Sequence, residues 1–210
     1  MSPTDNTNKY AQLASDESIQ TAKSALEANG FDVKVVENLE AAKTEVLNMI
    51  PKKAEVFTAT STTVNQTGLT TILDDSGDYK STRKDFMALW GQEDKALQMK
   101  QIGSASDYVV GSVHAVTEDG QAIIASASGS QLPNYVFGAN HVIWVVSTKK
   151  IVPDLNTGIK RIEDYVLALE DKRALEAYGN HSSLNKILIY RKETIPNRVT
   201  VIFVKEDAGF

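Results

Sequence analysis

The sequence predicts an α/β fold, a mixed and mostly parallel sheet flanked by helices. The first part of the chain alternates helix-period segments with strand-like ones, an order that favours a largely parallel sheet. From Asp107 onward the texture changes to short apolar runs divided by turn-rich stretches, and Val142–Val146 (VIWVV) has the length and density of a buried strand. The chain is 42% hydrophobic and 23% charged, the balance of an ordinary globular protein with enough apolar material for a full core.

Taken in order, residues from about Asp16 to Asn29 read as a helix. Ile19, Ala22, Ala25 and Leu26 share one side of it, and Gly30 is placed to end it in the left-handed conformation. Phe31–Val36 (FDVKVV) alternates as a strand does. A second helix, about Leu39–Met49, must stop before Pro51, because proline cannot continue the hydrogen-bond ladder. Glu55–Thr60 (EVFTAT) reads as the next strand, followed by Ser61, Thr62 and Thr63 and a helical turn near Gly68. Between Ser81 and Gln101 charged residues alternate with Phe86, Met87, Leu89, Trp90, Leu97 and Met99, which predicts one or two helices interrupted near Gly91. Strands are predicted at Tyr108–Val110, Ala122–Ile124 and Val142–Val146. Ile159, Ile162, Val166 and Leu169 then recur on one helix face, with Asp154 as its cap or first-turn acid. Lys186–Tyr190 (KILIY) and Val199–Val204 (VTVIFV) close the chain as strands. With no internal repeat and no linker, the expected organisation is a flexible N-terminal segment over residues 1–15 and a single domain over 16–210.

Composition excludes several function classes. Lys plus Arg number 22 and Asp plus Glu 27, a net charge of -5 with no basic run, so no nucleic-acid partner is expected. The absence of cysteine removes disulfides, thiolate nucleophiles and cysteine-ligated clusters on this chain. No apolar stretch approaches the ~20 residues that span a bilayer, so no membrane insertion is expected. The start MSPTDNTNK lacks the apolar region of an export signal, which makes the cytoplasm the expected compartment. Glycine-rich nucleotide loops, the GxSxG elbow and metal-ligand spacings among His114, His141 and His181 are all missing, and no metal is expected.

Three segments can carry chemistry. Thr60–Gly68 (TSTTVNQTG) follows a strand and enters a helix, where unpaired N–H groups suit a phosphate or carboxylate; capping by Ser61 is the competing reading. Ser112–Gly120 (SVHAVTEDG) groups His114, Glu118 and Asp119. Asp119-Gly120 suits a turn between strands, and Glu118 suits an exposed position. The role of His114 stays open between proton carrier, donor to an anion and satisfied core side chain. Gly129–Gly138 (GSQLPNYVFG), with the small-residue stretch Ala125–Ser130 before it, leads through a strand to Lys149 and Lys150. A lysine past the carboxyl end of a buried strand sits where open α/β sheets place ligand contacts, and where solvated lysines also sit.

The ordered set ALEANGFDV, IPKKAEVFTATSTT, SVHAVTEDG, SASGSQLPNYVFGANHVIWVVSTKKIVPDL, YGNHSSLNKILI and RVTVIFVKEDAGF resembles the LUD (lactate-utilisation) domain family in its short, stand-alone form, over nearly the whole chain. The resemblance implies a fold related to the sugar-phosphate isomerase and CoA-transferase superfamily. It also implies a setting of bacterial lactate utilisation, in which some members are parts of an iron–sulfur L-lactate-oxidising system. The commoner family pattern has asparagine where this chain has His114, and a GNRV-like run where it has Gly129, Ser130, Gln131 and Leu132. Sites of the superfamily collect at strand ends and loops facing an anionic substrate. On that resemblance Ser61, Thr63, Gly120, Gly129, Ser130 and Gln131 are candidate ligand-binding positions and Asp119 and Lys150 candidate catalytic ones; His114, which departs from the family pattern, is a candidate catalytic residue from the reading of its own loop alone.

Three functions follow as expectations. The first is an accessory or subunit-like component of lactate metabolism that binds a small anionic metabolite, with iron–sulfur oxidoreductase subunits as partners and any cluster on the partner. The second is an independent isomerase, transferase or cyclo-ligase acting on a phosphate- or carboxylate-bearing substrate. The third is a scaffold whose polar loops only close turns.

Overall fold

Helix α1 (Asp16–Ala28) begins where the Ser15 hydroxyl accepts the Ser18 N–H at 3.2 Å, with Asp16 and Glu17 complementing the dipole in its first turn. It buries Ile19, Ala22 and Leu26 and leads through Gly30 into strand β1 (Asp32–Val36). The structure, a computed structural model, describes residues 8–210, so residues 1–7 of the N-terminal segment expected to be flexible lie outside the described residues. Of the remainder, Tyr10 is buried and its carbonyl accepts Arg161 at 3.4 Å.

Asn38 caps α2 (Leu39–Met49), which ends before Pro51, and β2 (Glu55–Thr58) follows. Next come α3 (Thr62–Gln66), α4 (Leu69–Asp75), a two-residue β3 (Lys80–Ser81), α5 (Thr82–Ala88) and α6 (Ala96–Ile102), then β4 (Ser106–Gly111). Beyond them lie β5 (Ala115–Thr117), β6 (Ala122–Ser126), β7 (Ala139–Ser147) and β8 (Ile151–Val152). The helix predicted after Asp154 is observed as α7 (Leu155–Arg161), a π-helical turn (Ile162–Val166) and α8 (Leu167–Tyr178), and the chain continues into β9 (Lys186–Tyr190) and β10 (Val199–Val204).

Strands β1, β10, β7, β4, β2 and β3 form, in that order, a six-stranded sheet in which every neighbour is parallel. The expected mixed sheet is therefore two sheets. A four-stranded one, ordered β8-β5-β6-β9, carries the antiparallel pairs, because the tight turn at Asp119-Gly120 folds β6 back on β5.

Val142–Val146 in β7 is fully buried because the large sheet is covered on both faces. On one face Val46, Leu69 and Leu73 pack against Ile143, Val145 and Ile202. On the other, Trp144 and Phe203 share one cluster with Leu26 and with Val116, Ala122 and Ile124 of the second sheet. Among the described residues no helix is long and apolar enough to cross a membrane.

Candidate functional site

The carboxyl ends of β2, β4 and β7 are neighbours in the parallel sheet, and each is followed within two residues by polar ones: Thr60 and Ser61, Ser112, and Thr148–Lys150. Open α/β sheets leave their crevice on this side. It holds a small polar recess of about 50 Å³ lined by Ser61, Thr63, Ser112, His114, Gln131 and Lys150. The recess adjoins a chamber of about 600 Å³ and shares Thr60, His114, Gln131, Glu170 and Arg173 with it.

Lys150 is the centre of the recess. A tight turn after β7 carries its side chain inward until only 4% of the residue is exposed. Its Nζ donates to Thr63 Oγ1, Ser112 Oγ and the Val113 carbonyl, each at 3.0 Å. All three acceptors are uncharged, and among the described residues no carboxylate lies within ion-pair distance of it. Burial holds its pKa well below the ordinary lysine value, and the Arg161 and Lys149 charges lower it further. Lys149 has its own partner, Asp207, at 2.5 Å.

His114 lies just before β5, where its N–H joins the ladder by donating to the Ile123 carbonyl at 2.9 Å. Its Nδ1 accepts the Ala125 N–H at 3.1 Å, which selects the neutral ring with the proton on Nε2. Burial first, then the Lys150 and Arg161 charges, push its pKa down to about 3. The fully buried Arg161 donates to the His114 carbonyl at 2.7 Å and, like Lys150, has no carboxylate partner among the described residues. Two buried basic side chains thus act on one neutral imidazole.

The other predicted positions divide into two groups. Ser61, Thr63, Ser130 and Gln131 line the cavity, with Ser61 also capping α3 by accepting the Val64 N–H at 3.3 Å. Gln131 Oε1 accepts the Ser126 hydroxyl at 3.0 Å, so the Ala125–Ser130 stretch forms chamber wall. Gly129 makes the turn within that wall, at φ 87°, without lining the cavity itself.

Asp119 and Gly120, expected beside an anion, do not line the cavity, because their turn is docked on α1. Asp119 accepts the Thr117 hydroxyl and, at 2.7 Å, the Gln121 amide, while Asn29 donates to the Gly120 carbonyl at 3.0 Å. Glu118, expected exposed, is half-buried and accepts the Ser18 hydroxyl of α1 at 2.6 Å. The turn is a structural joint.

Sequence reading singles out none of Arg83, Glu170 or Arg173, all of which reach the chamber. Arg173 grips Glu170 with two hydrogen bonds of 2.7 and 2.6 Å, and Arg83 donates to Thr60 Oγ1 at 2.8 Å and the Thr58 carbonyl at 3.1 Å. The i,i+3 spacing of Glu170 and Arg173 was a signal, but a solvated helix face shows the same one.

Among the described residues no group of three or more His, Asp or Glu side chains could hold a metal ion. An iron–sulfur cluster does not fit this chain, whose sequence has no cysteine to ligate it. The recess brings together hydrogen-bonding groups, a buried amine, an imidazole N–H and hydroxyls, with the Glu170 carboxylate, held by Arg173, on its border.

A family model described as LUD domain matches residues 19–204. Among solved structures, the chain is similar to a DUF162 family protein from Deinococcus radiodurans, with a TM-score of 0.56 and 11% identity over 92% of this chain and 99% of that one. At that identity the likeness is one of fold. No curated protein matches the chain.

Proposed function

The chain belongs to the LUD domain family, which is associated with lactate utilisation, and on that premise we propose that it is an accessory or subunit-like component that binds a small anionic metabolite at the carboxyl ends of β2, β4 and β7. The observation that carries this reading is Lys150, a buried amine with three uncharged acceptors and, among the described residues, no carboxylate within ion-pair distance. A buried charge without a counter-ion is costly, and an anion in the recess removes that cost. Because the chain has no cysteine, electrons from lactate oxidation would pass through iron–sulfur subunits on partner chains. The test is thermal shift with L-lactate, pyruvate and inorganic phosphate, paired with pull-down from the native host. Stabilisation by one of these anions, lost in Lys150→Met, and capture of an oxidoreductase subunit are expected; no shift at 10 mM of any of them and no such subunit would overturn the reading.

A second reading, an independent isomerase-, transferase- or cyclo-ligase-type enzyme, draws on the depressed pKa of Lys150. An amine whose neutral form is favoured by burial takes a proton from a bound substrate more readily than an ordinary lysine does. Turnover of a phosphate- or carboxylate-bearing substrate by the purified chain, abolished in Lys150→Met, distinguishes it from binding alone.

A further inference from the structure

The recess around Lys150 accommodates an anionic group, but it opens into a chamber of about 600 Å³, far more space than a three-carbon acid fills. That chamber is built differently. Ile162, Val166 and Ala174 form a buried apolar wall along the π-helical turn and α8. On α5 and the turn after it, Met87 and Trp90 line the same space, and Tyr178 stands at the end of α8. These three large side chains are left 41, 52 and 55% exposed. Apolar side chains clustered in the open around a cavity mark a binding surface, because leaving them in water has a cost that only a ligand removes.

The two cavities share part of their lining, Lys150 belonging to the recess and the exposed apolar side chains Met87, Trp90 and Tyr178 to the chamber, with the Glu170–Arg173 pair on the border of both and Arg83 on the chamber wall. Resting on the anion site above, we propose that the ligand is an amphipathic carboxylate, an acyl or aryl acid whose head group sits at Lys150 and whose tail lies between α5 and α8. Thr63 and Ser112 accept from Lys150, which leaves their hydroxyl hydrogens for the two carboxylate oxygens; that of Ser112 otherwise makes only a long contact of 3.3 Å to the Val113 carbonyl. The Nε2–H of His114, on the boundary of recess and chamber, is a further donor.

The experiment is calorimetric titration of the full chain with acetate, butanoate, hexanoate and octanoate at one pH and ionic strength, with Trp90 fluorescence read in parallel against the buried Trp144. Affinity is expected to rise about three- to fourfold per added methylene beyond butanoate, the increment of apolar burial, with a shift in Trp90 emission. Met87→Glu, at a half-exposed position that tolerates the change in the fold, is expected to flatten the series. Lys150→Met and, as a near-isosteric check on folding, Thr63→Val are expected to weaken every member tenfold or more. A flat series that still depends on Lys150 would overturn the tail assignment and leave the small-anion reading standing. Affinities left unchanged for every member in both Lys150→Met and Thr63→Val would overturn the head-group assignment, and no binding by any member would overturn both.

Discussion

At the scale of single residues, the site turns on two side chains whose charge states are set by burial. Anion binding beside Lys150 favours its ammonium form, so binding takes up a proton wherever the free site is neutral. Affinity for the anion is therefore expected to fall as pH rises through the folded-state pKa of Lys150, which lies well below 10.5. Calorimetric enthalpies in buffers of different ionisation heat measure that proton, and in Lys150→Met the uptake should vanish. His114 predicts a separate acid effect. Its folded pKa of about 3 lies below the ordinary value of 6.5, so between these two the unfolded chain binds the extra proton and stability rises with pH. Acidification from pH 6.5 to 4 is expected to cost roughly 2 kcal/mol through this residue, less than the full shift implies because the ring borders the open cavity. Urea unfolding of wild type and His114→Asn across that range checks it, and equal slopes would show that His114 is not the source.

At the scale of elements, two glycines separate what builds the site from what builds the frame. A Cβ on Gly111, at the end of β4, would lie 1.8 Å from Tyr135 Oη, whose hydroxyl reaches the Ser112 carbonyl at 3.4 Å. Gly111→Ala must displace Tyr135 and with it the backbone beside Lys150. Gly120 has φ 82°, and its added Cβ would come within 2.6 Å of the Ala25 backbone. Both alanine variants are expected to lose about 1–3 kcal/mol in denaturant unfolding, the usual cost of overpacking. Only Gly111→Ala should also weaken anion binding, because the Gly120 turn lies outside the cavity. The same contrast explains what could be read from the sequence. Helices α1 and α2 and strands β9 and β10 announce themselves by period, cap and breaker, all local signals. Lys150 and Ser61 were legible because a polar residue following a buried strand has few places to go. The docking of the Asp119-Gly120 turn on α1 is not legible in the sequence, because a DG turn reads the same whether it faces a cavity or a helix. Strands β3 and β8 are too short, at two residues each, to show any period. Arg83 and Arg173 reach the chamber only through contacts between elements distant in sequence, which no local pattern encodes.

At the scale of the whole molecule, the cavity is walled by the carboxyl end of the large sheet, by the second sheet and by α5 and α8, so a ligand joins parts that folding has brought together from across the chain. Whether those parts unfold together depends on the core. Trp144 of the large sheet makes edge-on contact with Tyr190 of the second, ring centroids 5.8 Å apart, and Val116, Ala122 and Ile124 enter the same buried cluster as Phe203. A shared core of this kind gives the two sheets no seam along which one could melt first. Thermal unfolding is therefore expected to be a single transition, with Trp144 fluorescence and far-ultraviolet circular dichroism giving the same midpoint. A bound anion then stabilises the whole unit. At a concentration a hundred times its Kd the gain is about 2.7 kcal/mol. For a chain of this length that corresponds to a rise in Tm of roughly 5–11 °C, seen equally by both probes. Lys150→Met should melt as one unit but show no rise. Two separated midpoints, or a ligand shift confined to one probe, would mean that the second sheet and its share of the cavity fold independently of the parallel sheet.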